Sequence, residues 1–113
     1  MADAEHAPQA AHTVTVRQGR VLVSLAGEFD LVTEGQLEEW LCRAVLDHPD
    51  HRVDVDMHRV RFLDSSGIRA LLRAHGLAAE RGTVLRIVDA KETVREVLEI
   101  VDVYDLLTGS AEQ

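Results

Sequence analysis

The chain of 113 residues contains one cysteine and two prolines, and aromatic residues make up only 4% of it. A lone Cys42 cannot close an internal disulfide, and it cannot build a thiolate zinc site. With so few aromatics, any core must be assembled from Val, Leu, Ile and Ala. The 46% hydrophobic content is enough to do so within one domain and without covalent staples. No apolar run approaches the length needed to span a bilayer. The N-terminus has no basic segment followed by an apolar one, so a secretory signal is not expected and a cytoplasmic location is. Positive charge is also in short supply, since 12 Lys and Arg against 20 Asp and Glu leave a net charge of −8. That balance opposes phosphate backbones and anionic bilayers, so neither direct nucleic-acid binding nor membrane docking is expected. A protein partner with a basic patch is compatible with it.

What is present is a succession of short patterned segments. Residues 1–12 hold nothing able to bury a face and read as a flexible tail. Residues 13–17 and 20–26 are rich in β-branched positions, and the Gln18-Gly19 link predicts a hairpin. Gly27-Glu28-Phe29-Asp30 leads out of the second strand. Thr33 with Gln36 then predicts a capping box, and Val32 with Leu37 a hydrophobic staple. The helix they open carries Leu37, Trp40, Leu41, Ala44 and Val45 on one face and should stop near Asp47, ahead of Pro49. Residues 52–57 alternate strictly, with Val53, Val55 and Met57 on one face and Asp54 and Asp56 on the other, read as a solvated face. A second helix over 66–81 presents Ile68, Leu71, Leu72, His75 and Ala79, and Gly82 stops it. Residues 83–88 form a fourth strand. Asp89 with Glu92 predicts another capping box, for a helix with Val94, Val97, Leu98 and Val101 inward. Asp102 should cap a last short turn over 103–107. The sum is an α/β fold: one domain over 13–108, built on a mixed sheet of about four strands, an N-terminal hairpin followed by β-α-β-α-β-α. The helices pack mainly on one face, the β-α-β links demand parallel pairs with right-handed crossovers, and a short tail covers 109–113.

Few residues offer chemistry. The six histidines are scattered, His48 and His51 flank Pro49 in a loop, and no H-E-x-x-H occurs, so no metal site is expected. Ser65 lies in Leu63-Asp64-Ser65-Ser66-Gly67. A nucleophile elbow would need glycine in place of Leu63, and the only later histidine, His75, falls within the next helix. No glycine-rich phosphate loop is present, so no nucleotide cofactor is expected. A phospho-acceptor at Asp56 would require acids at the end of the first strand, which instead reads Val16-Arg17-Gln18-Gly19. Catalytic residues are therefore not expected. There remains the stretch Phe62-Leu63-Asp64-Ser65-Ser66-Gly67-Ile68, where a strand pattern gives way to a helical one. Ser and Asp are preferred N-caps. The same helix mouth, with about +0.5 of a charge and free N–H donors, would also accept a phosphate. Both roles stay open on the residues alone.

Taken together, these segments resemble the anti-sigma factor antagonists of bacteria, of the sulfate transporter and anti-sigma factor antagonist (STAS) domain family. Gly27-Glu28-Phe29-Asp30 resembles the family's G-E-hydrophobic-D after the second strand. The segment Asp64-Ser65-Ser66-Gly67-Ile68 resembles its D-S-[ST]-G-[LI] signature, and Leu85-Arg86-Ile87-Val88 its closing strand. The resemblance implies a substrate rather than an enzyme. An unphosphorylated antagonist of this kind binds an anti-sigma factor that is also a serine kinase, and so frees a sigma factor. The kinase phosphorylates the first serine of the signature, which is Ser65, and a metal-dependent serine phosphatase restores it. By the same resemblance, Asp30 lies near Ser65, Asp64 flanks it, and Ser66, Gly67, Arg69 and Arg73 belong to the partner-binding surface. Many members have glycine where this chain has Arg69, a cation placed to pair with Asp64 or with a phosphate on Ser65. The family also supplies an alternative, a binding module in a signalling scaffold or transporter complex with no sigma-factor cycle.

Overall fold

The computed structural model describes residues 9–109. The chain runs β1 (Ala10–Arg17), β2 (Arg20–Phe29), α1 (Glu34–Asp47), β3 (Arg52–Leu63), α2 (Ser65–Glu80), β4 (Leu85–Val88), α3 (Glu92–Ile100) and α4 (Tyr104–Thr108). The four strands form one sheet in the order β1-β2-β3-β4. β1 pairs antiparallel with β2, whereas β2–β3 and β3–β4 are parallel, so the mixed sheet expected from the sequence is present. Alternation within strands sets the two faces. Val21, Val23, Leu25 and Phe29 of β2, Val53, Val55 and Met57 of β3, and Leu85 and Ile87 of β4 are buried. They meet Leu37, Leu41, Ala44 and Val45 of α1, Ile68, Leu71, Ala74 and Ala78 of α2, Val94 and Leu98 of α3, and Leu107 of α4. The core is aliphatic, with Phe29 as its largest fully buried side chain.

β1, β2 and β3 are longer than their patterns suggest, for local reasons, whereas β4 is shorter, Leu85–Val88 rather than 83–88, with the Thr83 hydroxyl bonded to the His51 carbonyl ahead of it. β1 begins at Ala10, not at residue 13, because β2 runs on to Phe29 and gives it a partner as far as Gly27. Gly27 sits inside the strand with φ +107, and the backbone carbonyl of Gln9 occupies the space a side chain would need. Only glycine permits that approach. The expected tails at residues 1–8 and 110–113 lie outside the described residues.

β3 was expected to end near Met57 and instead continues to Leu63. Its register against β2 slips twice, between Ser24/Ala26 and between Gly27/Glu28. Each slip inserts an extra β3 residue, so the buried positions pass from Met57 to Val60 to Leu63, three residues apart. A bulged strand loses its period of two, and the sequence pattern with it.

The helix caps need more correction. Thr33 precedes α1, but its side chain makes no capping bond to the helix. The Thr33 hydroxyl instead accepts from the Asp30 N–H at 3.0 Å and donates to the Glu28 carbonyl at 3.3 Å, so it closes the loop ahead of the helix. Val32 is 81% exposed and staples nothing. Lys91, not Asp89, is the N-cap residue of α3, while Asp89 has φ +62 and pairs with His58. Asp102 likewise has φ +63, and Val103 takes the cap position of α4. Ala79 and Val101, both expected to face inward, are exposed. Asp54 does not lie on a solvated face: it is buried beneath Arg20, Arg52 and Arg86.

Candidate functional site

The C-terminal ends of β2 and β3 lie side by side, with Phe29 opposite Leu63. Immediately beyond them the Asp64 N–H donates to the Phe29 carbonyl at 3.2 Å, which ties the start of α2 to the loop that opens with Asp30. The sharp turn from β3 into α2 depends on Asp64. Its extended backbone makes it the N-cap, and its Oδ1 accepts from the Ser66 N–H at 2.9 Å and the Gly67 N–H at 3.3 Å. Two of the helix's free donors are thereby satisfied by a charged acceptor.

Asp64 therefore takes the capping role, and the two serines part company. Ser65, the first residue of α2, is exposed and its hydroxyl makes no hydrogen bond among the described residues. Ser66 is buried, with Arg69 Nη2 at 3.5 Å from its Oγ. Gly67 lies against the strand ends. A β-carbon there would stand 2.5 Å from Leu63 Cδ1, 3.1 Å from the Phe29 carbonyl oxygen and 3.2 Å from Phe29 Cβ. The glycine lets α2 sit close enough for its mouth to reach the Asp30 loop.

Asp30 folds back on its own loop, where Oδ1 accepts from the N–H groups of Val32 at 3.0 Å and Thr33 at 3.3 Å. It thus braces the corner. The loop also presents Leu31, 71% exposed, beside the exposed Val32, and Phe62 of β3 is exposed two residues before Asp64. An apolar rim thus borders a polar helix mouth.

Arg69 and Arg73 are on the exposed side of α2, but they are not free. Arg69 Nε donates to Glu34 at 2.8 Å, and Arg73 Nη1 to Glu34 at 3.2 Å and to Glu38 at 2.7 Å. The expected pairing of Arg69 with Asp64 is absent, and its partner is an acid on α1. These bonds hold the Glu34 carboxyl below its ordinary pKa, with the Arg69 hydrogen bond as the largest cause, and raise Arg69 above its own. Glu34 and Glu38 were missed by the reading of the sequence. Their signal was the matched spacing: acids four apart on α1 facing arginines four apart on α2. Cys42 is half-buried, and burial, with the nearby Glu38 charge, pushes its thiol pKa up.

The geometry has direct counterparts among known proteins. Residues 11–112 match the model of the STAS domain. The chain belongs to the STAS domain family. A curated relative, the anti-sigma-F factor antagonist RsfB of Mycobacterium tuberculosis, is 39% identical over 59 residues. That alignment spans 52% of this STAS chain and 48% of the relative, so the chain matches about half the length of that protein. The crystal structure of an anti-sigma factor antagonist from Mycobacterium paratuberculosis superposes with a TM-score of 0.76 at 27% identity, covering 90% of this chain and 86% of that one. The unphosphorylated form of SpoIIAA, an anti-sigma factor antagonist, gives a TM-score of 0.70 at 21% identity over 83% of each chain, and supports the fold alone.

Proposed function

We propose that this STAS domain is an anti-sigma factor antagonist controlled by phosphorylation of Ser65. Unmodified, it binds an anti-sigma factor that is also a serine kinase, and a sigma factor is released. Phosphate on Ser65 ends the interaction, and a serine phosphatase restores it. The domain acts as a substrate and binding partner in this cycle, within the cytoplasm, and not as an enzyme.

The division of labour at the mouth of α2 is the observation that carries this reading. Asp64 caps the helix, Ser66 is buried, and the Ser65 hydroxyl stands exposed with no partner among the described residues. A kinase can reach it without opening the fold. The rim of Leu31, Val32 and Phe62 offers apolar contact for a docked protein, and a polar centre within an apolar surround suits an interface that must form and release.

The phosphate would act through charge. It adds about −1.5 to −2 beside Asp64 and Asp30, at a site where helix N–H groups can stabilise it. Arg69 lies one turn further along α2 and already has Glu34, so a phosphate must compete for it. The modified surface is thus more negative without any need to refold, which repels an acidic partner surface and alters the α1–α2 bridge. Incubation with a cognate anti-sigma kinase and ATP, followed by mass spectrometry of the peptides, tests the assignment. A single phosphate on Ser65 is expected; phosphate on Ser66 alone, or none, would overturn it.

A further inference from the structure

At the opposite end of the sheet from Ser65, on the face away from the core, the register brings arginines together. Arg17 of β1 pairs with Arg20 of β2, and Arg20 pairs with Arg52 of β3. Three guanidinium-bearing residues thus stand in one row across three strands. Asp54, two residues along from Arg52 and on the same face, is paired in register with Arg86 of β4. Like charges directly opposite one another on a sheet destabilise it, so the row needs a counter-charge.

The protein supplies one carboxylate. Asp54 is buried, its side chain only 4% exposed, and each arginine approaches it through Nε: Arg86 at 3.1 Å, Arg52 at 3.3 Å and Arg20 at 3.7 Å. A guanidinium held by its Nε keeps its two terminal amino groups for another acceptor. The three arginine side chains are between 37% and 44% exposed, so those groups can meet solvent. Arg20, Arg52 and Arg86 form no other ion pair among the described residues, and Arg17 forms none. Arg17, Arg20 and Arg52, with the Gln18-Gly19 turn, wall an open hollow at the end of the hairpin. Three arginines share the single Asp54 carboxylate and Arg17 stands beside two of them in the hollow, so positive charge is in local excess, because arginine stays protonated at any ordinary pH. This excess sits on a chain whose net charge is −8.

The geometry points to a binding site for a small phosphate-bearing anion in the hollow, with Asp54, itself held by Arg86, as the positioning residue that orients Arg20 and Arg52, and Arg17 as the arm that closes on the ligand. Arginine forks match phosphate oxygens in pairs, and a multiply charged anion offsets the excess better than a monovalent one. β3 separates this hollow from Ser65 by its full length, roughly 35 Å at about 3.3 Å per residue. The site is therefore independent of the phosphorylation reading, and the failure of either leaves the other intact.

Titration of the full chain with pyrophosphate, inorganic phosphate and glycerol phosphate, at constant ionic strength set with chloride, tests the site by calorimetry and by amide NMR shifts. Saturable binding is expected, tightest for pyrophosphate, with shifts concentrated at residues 17–20, 52–54 and 86. Equal affinity for phosphate and glycerol phosphate would identify the phosphate alone as the group recognised, and tighter binding of the ester would add its organic part. Arg52→Gln should weaken pyrophosphate about tenfold or more, the loss of a charge-assisted bond. Because Arg52 also holds Asp54, Arg17→Gln provides the variant whose side chain has no partner to lose. Without ligand its melting temperature should be no lower than that of the wild type, since it removes a like charge opposite Arg20, and it should lose most of the rise that pyrophosphate produces. No saturable binding by the wild-type chain, or full retention of binding by Arg17→Gln together with Arg52→Gln, would overturn the proposal.

Discussion

Replacing Gly67 by alanine sets two effects of known sign against each other. Alanine is the better helix former, by up to about 1 kcal/mol. The new methyl, however, would enter a filled space, 2.5 Å from Leu63 Cδ1, 3.1 Å from the Phe29 carbonyl oxygen and 3.2 Å from Phe29 Cβ. The Leu63 methyl can rotate away, but the Phe29 backbone is held in the β2–β3 ladder and by the Asp64 N–H. Relief must come from α2 moving off the strand ends, an overpacking cost of about 1–3 kcal/mol. The clash wins, and a net loss of about 1 kcal/mol is expected, a fall in Tm of about 4–8 °C for a small domain. Gly76 in the same helix is the control, since nothing lies within 4 Å of a β-carbon there. Gly76→Ala should stabilise by about 0.5–1 kcal/mol. Urea unfolding measures both, as shifts of midpoint with unchanged slope. If Gly67→Ala were as stabilising as Gly76→Ala, the close approach of α2 to Phe29 would be refuted.

Asp64→Ala removes the acceptor for two N–H groups and should cost about 1 kcal/mol in urea unfolding, whereas Asp64→Asn should keep most of it. The Glu34 carboxyl has a folded-state pKa below its ordinary value. Its contribution is therefore complete above the unfolded-state pKa, about 4.3, and is lost as pH falls through the lower folded value. Glu34→Gln should flatten the decline of stability in that acid range, and an unchanged slope would contradict the pairing with Arg69. His12 stacks on Trp40 with ring centroids 4.0 Å apart, and burial lowers its pKa. The fluorescence of Trp40, the only tryptophan, should respond to His12 protonation with a midpoint below 6.5, and His12→Gln should abolish that response.

Much of this arrangement could be read from the residues, and the misses have physical causes. Element order and sheet type followed from periodicity, because Val21, Val23 and Leu25, or Val53, Val55 and Met57, declare a buried face by alternation alone. The second half of β3 did not, since its bulges place Met57, Val60 and Leu63 at a spacing that no strand template contains. Thr33, Asp89 and Asp102 are all good capping residue types. Each was diverted: Thr33 by the loop it closes, the two aspartates by a left-handed backbone. The stretch from Asp64 to Gly67 was visible, but the assignment of the cap to Asp64 needed coordinates, because Asp64 and Ser65 are both preferred cap residues and only the backbone path separates them. Asp54 was hardest to foresee. Its three partners come from β2, β3 and β4, and no local pattern reports a charge cluster assembled across strands.

On this reading a phosphate on Ser65 switches a surface without refolding the domain. The direct measurement is the affinity of an anti-sigma kinase for the unmodified and the Ser65-phosphorylated chain, with amide spectra of both forms recorded alongside. With phosphate on Ser65 the affinity should fall at least about tenfold, equivalent to about 1.4 kcal/mol. Spectral changes should be confined to the start of α2, the Asp30 loop and the first turn of α1. Equal affinity of the two forms, or changes spread through the sheet, would contradict it.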